Sequence, residues 1–192
     1  MTTKIAVIVG SLRKESASRK IAAAIQALAP KGTSFEFVEI AALPHYNQDE
    51  EATPVEAVKT FRARIKAADA VLFVTPEFNR SVPGALKNAI DHGSRPYGQS
   101  AWNGKPAAVI STSMGAVGGF GANQHLRQSL SHLNMLTLGQ PEAFIGNSSN
   151  VVGADGKIAN DATRDFFVGF LAAFATTIQL VNRNDEATRT AA

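Results

Sequence analysis

The sequence contains no cysteine, and this absence excludes disulfide bonds, iron–sulfur ligation, cysteine-based zinc sites and a thiol nucleophile. It also lacks a long apolar run near its start. The run at residues 5–9 ends at Gly10 and a basic stretch, and it is too short for a signal peptide or a membrane span. We therefore expect a cytoplasmic protein with no membrane partner, whose chemistry needs no protein sulfur.

The charge of the chain is nearly balanced, with 19 Lys and Arg against 16 Asp and Glu and a net charge of +3. There is no basic stripe with interleaved aromatic residues, so the sequence predicts no nucleic-acid partner. The four histidines stand at no metal-ligand spacing, which predicts no metal site. With 192 residues, of which 45% are hydrophobic, one domain around one core is the expected organisation.

Short apolar runs bounded by polar residues or by Gly and Pro predict buried parallel strands at residues 5–9, 70–74 and 107–110. Weaker patterns predict a second strand at 34–40 and a fifth at 136–145, the latter broken by Gly139 and Pro141. Five helical patterns lie between and after these strands. The second is predicted to begin at a capping box of Thr53 and Glu56, with Pro54 at the first helical position. The phenylalanines of the last helix, after Asp161, are assigned to the core.

Strands that alternate with helices predict an α/β fold with a doubly wound, five-stranded parallel sheet. We expect a single domain over residues 1–181 and a frayed C-terminal tail over 182–192, which has no apolar face. Ligands of such sheets bind at the carboxyl ends of the strands. The loops after the strands at 5–9, 70–74 and 107–110 are therefore the candidate site.

The first of these loops reads GSLRKES over residues 10–16 and leads into a helix. Hydroxyls, a guanidinium and free helix amides together predict a phosphate site, whose side chains are Ser11, Arg13, Ser16 and Ser18. Arg19 and Lys20 oppose the helix dipole, and a bound dianion would offset that cost. A serine-capped helix with solvated charges is the alternative. Neither a P-loop nor a three-glycine dinucleotide motif is present, which favours a monophosphate.

The second and third loops have the composition of a flat ligand site. The second forms a stiff lip suited to the edge of a planar heterocycle, and its residues are Pro76, Glu77, Phe78 and Asn79. The third lets the backbone approach a ligand closely, through Gly115, Gly118, Gly119 and Gly121. A Pro-punctuated turn and a glycine-rich turn without a ligand are the respective alternatives.

Three motifs in this order resemble the NADPH-dependent FMN reductase family, in its quinone and chromate reductase branch. They are GSLRKES at 10–16, TPEFNRSVPGALKNAID at 75–91, and STSMGAVGG at 111–119 with HLRQ at 125–128. The resemblance extends to about residue 180 and implies a flavodoxin-like fold. It also implies that Ser11, Arg13, Ser16 and Ser18 hold the FMN phosphate, that residues 76–79 edge the isoalloxazine, and that residues 113–119, with Ser113, Gly115, Gly118 and Gly119, close the ribityl and ring side.

The resemblance implies a ping-pong reaction in which NADPH or NADH reduces FMN and the flavin reduces a quinone, a free flavin, an azo compound or a metal oxyanion such as chromate. No side chain is assigned a catalytic role, because the flavin N5 carries the chemistry. A homodimer or homotetramer, joined through the helix after Pro83, is also implied. The alternatives are a flavodoxin-like electron carrier and a non-catalytic flavin-binding module; carriers are usually acidic, unlike this chain.

Four departures from the family pattern concern the site. The family often has an aromatic residue at position 17 and asparagine at 18, where this chain has Ala17 and Ser18, whose hydroxyl can still donate to a phosphate. The usual tyrosine at position 78 is Phe78, which keeps the ring and loses a hydroxyl. The arginine common at position 121 is Gly121, which puts in doubt any contact of that cation with the nicotinamide nucleotide or a neighbouring subunit. The sequence leaves open whether NADPH or NADH is preferred and which acceptor is physiological.

Overall fold

The computed structural model describes residues 2–190, with side chains described through Asn182. Its strands are β1 Thr3–Val9, β2 Thr33–Phe37, β3 Ala70–Pro76, β4 Pro106–Thr112, β5 Leu136–Thr137 and β6 Ala143–Ile145. Its α-helices are α1 Ala17–Gln26, α2 Glu56–Ala67, α3 Gly84–Gly93, α4 Phe120–His132 and α5 Asp161–Thr190. Strands and helices therefore alternate along the chain, as the sequence predicts.

The strands form one sheet in the order β2-β1-β3-β4-β5, with β6 also paired to β4, and every pairing is parallel. This is the flavodoxin-like order, in which the chain reverses its direction across the sheet between β1 and β3. The predicted doubly wound, flavodoxin-like sheet is confirmed. The reversal leaves a crevice beside the carboxyl ends of β1 and β3, which fixes where a ligand site can form.

Two apolar layers cover the sheet because successive strand side chains point to opposite faces. On one face, the side chains of α1 and α5 pack onto β1, β3 and β4, and the largest of them are Phe167, Phe170 and Phe174. On the other face, α2, α3 and α4 enclose Trp102, which contacts Phe61 and Phe73. The predicted core role of the α5 phenylalanines is confirmed.

Helix α5 is long and apolar enough over Asp161–Asn182 to cross a membrane by length and composition alone. The packing of its phenylalanines and of Leu171 and Ile178 against the sheet accounts for that composition. A core helix of an α/β protein satisfies the same test. The helix is assigned through Thr190, so it overlaps the segment 182–192 that the sequence analysis expects to fray. The domain boundary at residue 181 stays a prediction.

The break predicted at Gly139 and Pro141 divides the fifth strand into β5 and β6, because Pro141 has no N–H to donate. Two other local predictions are wrong. Strand β2 ends at Phe37 instead of residue 40, although Val38 still donates its N–H to the Val7 carbonyl at 3.0 Å. The Thr53 capping box does not form.

Helix α2 begins at Glu56, and its N-cap residue Val55 makes no side-chain capping bond. The reason is the preceding 3-10 turn at Gln48–Glu50, whose last carbonyl accepts the Thr53 N–H at 3.1 Å. Thr53 therefore completes that turn, and Pro54 lies before the helix instead of at its first position. Val58, Phe61 and Ile65 still form the buried face of α2.

Candidate functional site

The three predicted loops meet at the carboxyl edge of the sheet. The Gly10 N–H donates to the Val74 carbonyl at 2.9 Å, and the Glu77 N–H donates to the Thr112 carbonyl at 3.3 Å, so each loop is tied to the next strand. Gly10 is required here, because a Cβ at this position would lie 2.5 Å from Thr75 Oγ1. The sheet therefore brings residues that are far apart in sequence into one site.

The first loop presents hydrogen-bond donors that the protein itself does not use. Ser16 caps α1, and its buried Oγ accepts the Arg19 N–H at 3.2 Å. Within residues 2–182, the amides of Ala17 and Ser18 donate to no protein group, and Arg13 forms no ion pair. A free guanidinium beside free amides at a helix N-terminus is the donor set that a phosphate dianion requires.

The structure overturns one argument for this phosphate site. Arg19 pairs with Glu39 at 2.6 Å and Lys20 pairs with Glu15 at 2.6 Å, so both cations already have carboxylate partners. The hydrogen bond from Lys20 also holds the pKa of the Glu15 carboxyl below its ordinary value. The unfavourable interaction of these two cations with the α1 dipole is therefore already offset by Glu39 and Glu15, and no bound dianion is needed for that purpose. The case for the anion stands on Arg13 and on the free amides.

Ser18 lies deeper than a phosphate-binding side chain normally does. It is buried, and its hydroxyl shares a hydrogen bond of 2.8 Å with Thr112 Oγ1 on β4. This bond joins the first turn of α1 to the carboxyl end of β4. Ser11 is half-buried, and its Oγ accepts the Arg13 N–H at 3.4 Å. A ligand would meet Ser11, Arg13 and the α1 amides before it met the Ser18 side chain.

The second loop is a tight hairpin turn. Phe78 and Ser81 each donate a backbone N–H to the carbonyl of the other at 3.0 Å. Both residues between them have positive φ, +49° for Asn79 and +61° for Arg80, as in a type I′ turn. Asparagine tolerates this conformation, whereas arginine is disfavoured there by about 1 to 2 kcal/mol. The turn leaves the Phe78 side chain 65% exposed as the lip of the site.

The Glu77 carboxylate, predicted to lie in the flavin-ring loop, binds the protein itself. Its Oε2 accepts the N–H of Ala122 in the first turn of α4 at 3.2 Å, where the helix dipole favours a negative charge. A Cβ at Gly121 would lie 2.8 Å from the Arg80 carbonyl and 2.9 Å from Glu77 Oε2. The second loop thus approaches Gly121 closely, and an arginine at this position would not fit without a shift. Because the Glu77 N–H is bonded to Thr112, only the Glu77 carbonyl remains for a ligand.

The third loop is held in shape by Ser113 and its glycines. The Ser113 hydroxyl donates to the Gly115 carbonyl at 2.7 Å and accepts the Gly118 N–H at 3.1 Å. Gly118 and Gly119 have φ of +69° and +78°, and a Cβ at Gly118 would lie 2.4 Å from the Phe144 carbonyl carbon. Gly115, by contrast, borders open space. The loop therefore offers its backbone, and not its serine hydroxyl, to a ligand.

Two parts of the site were missed by sequence reasoning. The segment after β6 supports the third loop, because Ser148 donates its N–H to the Ser113 carbonyl at 3.0 Å and Asn147 donates to Gly115 at 3.2 Å. Exposed apolar side chains also occur in or directly after all three loops, here called the apolar rim: Leu12, Phe78, Met114, Val117 and Phe120, of which only Phe78 was singled out. Exposed apolar residues in all three loops could have revealed this rim. Several exposed apolar side chains on loops that meet at one edge of the sheet indicate a binding site.

Two of the four histidines form hydrogen bonds within the protein. His125 shares a hydrogen bond of 2.9 Å with Ser81 Oγ, and His92 shares one of 2.8 Å with the Pro44 carbonyl. Among the residues that the structure describes, no group of three or more His, Asp or Glu side chains is placed to hold a metal ion.

A cradle of free donors, a flat apolar lip and a glycine loop lie together at the β1/β3 crevice of a flavodoxin-like sheet. FMN is the ligand that such sheets bind at this point. The donor set at Arg13 and α1 fits its phosphate, and the open backbone beside Gly115 and the exposed Phe78 ring fit a planar heterocycle. The fold and the site thus define a flavoprotein of the FMN-binding α/β class.

Comparison with known proteins gives the family. A model of the NADPH-dependent FMN reductases matches residues 3–150. A quinone reductase from Pseudomonas putida is 58% identical over 177 residues, which cover 92% of this chain and 95% of that protein. A 2-hydroxy-1,4-benzoquinone reductase from Burkholderia sp is 44% identical over 179 residues, covering 93% and 98%. The solved flavoenzyme NAD(P)H:(acceptor) oxidoreductase FerB from Paracoccus denitrificans has a TM-score of 0.88 at 44% identity, covering 93% of this chain and 98% of that one.

The chain belongs to the NADPH-dependent FMN reductase family, so the resemblance seen in its motifs is confirmed. It is an FMN-dependent NAD(P)H oxidoreductase, and FMN and a nicotinamide nucleotide are its cofactor and co-substrate. The role of each site residue toward FMN stays a prediction.

Proposed function

We propose that this protein is an NAD(P)H-dependent quinone reductase that holds FMN across the carboxyl ends of β1, β3 and β4. The observation that carries the proposal is the meeting of the free Arg13 guanidinium and α1 amides with the exposed Phe78 lip at one crevice. Relatives named as quinone reductases, at 58% and 44% identity, support the acceptor class. The apolar rim is suited to a flat, poorly charged acceptor.

In this proposal each loop binds one part of the cofactor. Arg13, Ser11, Ser16 and the first amides of α1 hold the phosphate, and Ser18 supports them from below. The backbone of residues 76–79 edges the ring, while Gly115, Gly118 and Gly119 let the third loop close over it. Bound FMN supplies hydride acceptance from the nicotinamide and reduction of the second substrate. The protein exposes one face of the site and places main-chain donors beside it, with no side-chain acid or base.

An anaerobic reduction experiment tests the activity. The purified protein is reconstituted with FMN and mixed with NADPH or NADH without oxygen, and its flavin absorbance is followed. We expect bleaching, followed by recovery when a benzoquinone is added. A flavin that either nucleotide fails to bleach would contradict the enzyme assignment and favour an electron carrier or a flavin-binding module. Rates with a quinone, free FMN, an azo compound and chromate then rank the acceptors.

A matched pair of variants tests the phosphate cradle. Arg13→Gln removes one charge-assisted hydrogen bond to the phosphate, which is worth about 1.5 to 3 kcal/mol, so FMN should bind about 10 to 100 times more weakly. Arg164→Gln removes an exposed arginine of α5 that pairs with Asp161 and Asp165, and it should leave the affinity for FMN unchanged. Equal affinities for FMN in the two variants would exclude Arg13 as a phosphate ligand.

The groove between α3 and α4 supports a homo-oligomer. It forms a hollow of about 1410 Å³ on the protein surface. Its walls carry the Lys87–Asp91 ion pair of α3, with the two groups 2.7 Å apart, and the Tyr97 side chain beside it is 91% exposed. Such a surface can complement itself about a two-fold axis. A second copy of this chain is the proposed occupant, as the helix after Pro83 already suggested.

Light scattering after size exclusion measures this assembly. We expect a mass of two or four chains, and Tyr97→Asp should shift the population toward one chain. Val168→Glu, which changes an exposed residue of α5, is the control and should leave the mass unchanged. A wild-type mass of one chain would contradict the proposal. The cytoplasm is the proposed location, and fractionation of the producing cell should recover the protein with the soluble enzymes.

A further inference from the structure

Arg80 occupies a position that its side chain does not favour. It is the second central residue of the type I′ turn, with φ of +61°, where glycine is the usual residue. Its side chain is 84% exposed, and its one ion pair within residues 2–182 is a 3.4 Å contact with Glu77. Exposed pairs of this kind stabilise proteins little. Neither the turn nor the ion pair therefore explains why an arginine stands here, and a strained residue at the edge of a ligand site points to function.

The charge around Arg80 is unbalanced. Residues 75–83 and 111–119 contain no other Lys or Arg, and their one carboxylate is Glu77. Glu77 Oε2 is engaged by the Ala122 N–H at the start of α4, which offsets its charge. Within residues 2–182, Arg80 Nε and NH2 donate to no protein acceptor. The ring side of the crevice thus carries one available guanidinium, on a different loop from Arg13.

We propose that Arg80 binds the 2′-phosphate of the reducing nucleotide and makes NADPH the preferred co-substrate. This inference rests on the proposed function, because it requires the nicotinamide to enter over the second loop. In this arrangement the rest of the dinucleotide leaves the crevice over the second loop, at whose tip Arg80 lies between Phe78 and Ser81. NADPH differs from NADH only by the 2′-phosphate, and a guanidinium matches a phosphate in charge and in the geometry of its paired donors.

The test uses FMN-loaded protein and three variants. Arg80→Gly removes the charge and fits the positive φ, Arg80→Lys keeps the charge without the planar fork, and Arg164→Gln is the control. Calorimetry measures the affinities for NADP⁺ and NAD⁺ without turnover, and steady-state rates give kcat/KM for NADPH and NADH.

We expect the wild-type protein and the control to bind NADP⁺ more tightly than NAD⁺. Arg80→Gly should weaken NADP⁺ binding about tenfold, which is the loss of one charge-assisted bond at an exposed site, and leave NAD⁺ binding unchanged. Arg80→Lys should lie between them. The preference should also weaken with added salt, because an exposed ion pair is screened.

Two results would overturn the inference. One is an Arg80→Gly protein with the wild-type ratio of NADP⁺ to NAD⁺ affinity. The other is a variant that weakens both nucleotides equally, which would assign to Arg80 a role in shaping the turn or in binding the shared diphosphate. Because calorimetry requires no reaction, an Arg80-dependent NADP⁺ preference in a protein that NADPH does not bleach would contradict the proposed activity alone.

Discussion

The buried hydroxyl pair between Ser18 and Thr112 gives the most direct test of how the site is built. Both residues are about 1% exposed, and each hydroxyl has the other as its hydrogen-bond partner, at 2.8 Å. Ser18→Ala leaves the Thr112 hydroxyl buried without that partner, at a cost of about 1 to 3 kcal/mol. Thr112→Val has the equivalent effect on Ser18. The double variant removes both hydroxyls and leaves no polar atom unpaired.

The three variants form a double-mutant cycle. We expect each single variant to lower the free energy of unfolding by about 1 to 2 kcal/mol, and the double variant to lose less than the sum, with a coupling of about 1 kcal/mol. Urea unfolding should be measured on FMN-free protein, because a bound ligand would raise the apparent stability. A single domain allows a two-state fit, in which the midpoint reports stability.

Additive losses would refute the pairing. The same variants also separate two roles of Ser18. If its hydroxyl only joins α1 to β4, Ser18→Ala and the double variant should bind FMN with nearly wild-type affinity. If it contacts the phosphate, as the family resemblance implies, both should bind FMN about tenfold more weakly, because both lack the same donor. The structure favours the first result, since Thr112 already engages this hydroxyl.

Three further predictions concern the loops. Gly118→Ala should lower the free energy of unfolding by about 2 to 4 kcal/mol, because its Cβ would lie 2.4 Å from the Phe144 backbone. Gly32→Ala, the control, is also at positive φ but in open space, and it should lower that free energy by about 1 kcal/mol. Equal losses of the two variants in urea unfolding would contradict this prediction. Arg80→Gly should gain less than about 1 kcal/mol by relieving the turn, and a loss would contradict the strain. The hydrogen bond from Lys20 lowers the pKa of the Glu15 carboxyl. The pair therefore stabilises the fold above the ordinary pKa of 4.5, and this stabilisation is lost as the pH falls through the lowered pKa of the folded protein. Lys20→Met should raise the Glu15 pKa in an NMR titration, and an unchanged pKa would contradict the pairing.

The architecture could be predicted because a parallel sheet covered on both faces leaves a clear sequence pattern. Each central strand must be apolar on every residue, and the runs at 70–74 and 107–110 meet this requirement without interruption. Once strands and helices alternate, the right-handed crossover rule leaves few topologies. The carboxyl edge then follows as the site, and the three loops after β1, β3 and β4 do meet there.

The edges of the sheet were harder to predict because they depend on single turns. The break at Gly139 and Pro141 is visible in the sequence, but the apolar pattern does not show that β5 and β6 pair with different ends of β4. Thr53 matched the capping-box pattern, yet its amide was already used by the Glu50 carbonyl. Local motifs of this kind compete with neighbouring turns, and tertiary context decides which one forms.

The side-chain partners within the site could not be predicted, because they join residues that are distant in sequence. Arg19 pairs with Glu39, which is 20 residues away in the sequence. The Ser18 hydroxyl shares a hydrogen bond with Thr112, 94 residues away, and the Glu77 carboxylate accepts the N–H of Ala122, 45 residues away. Ser18 and Glu77 were predicted to contact a ligand, and Arg19 was expected to favour a bound dianion. In each case the protein itself supplies a partner for the side chain.

The same hydrogen bonds limit which side chains of the site are available to a ligand. The Ser18 hydroxyl holds α1 to β4, the Glu77 carboxylate holds the second loop to α4, and the Ser113 hydroxyl holds the third loop in shape. What remains for a ligand is mainly backbone, the free amides of α1 and the chain beside Gly115, together with the guanidinium of Arg13. Substitution of the three bonded side chains should therefore change stability first and cofactor affinity second, whereas Arg13 should do the reverse.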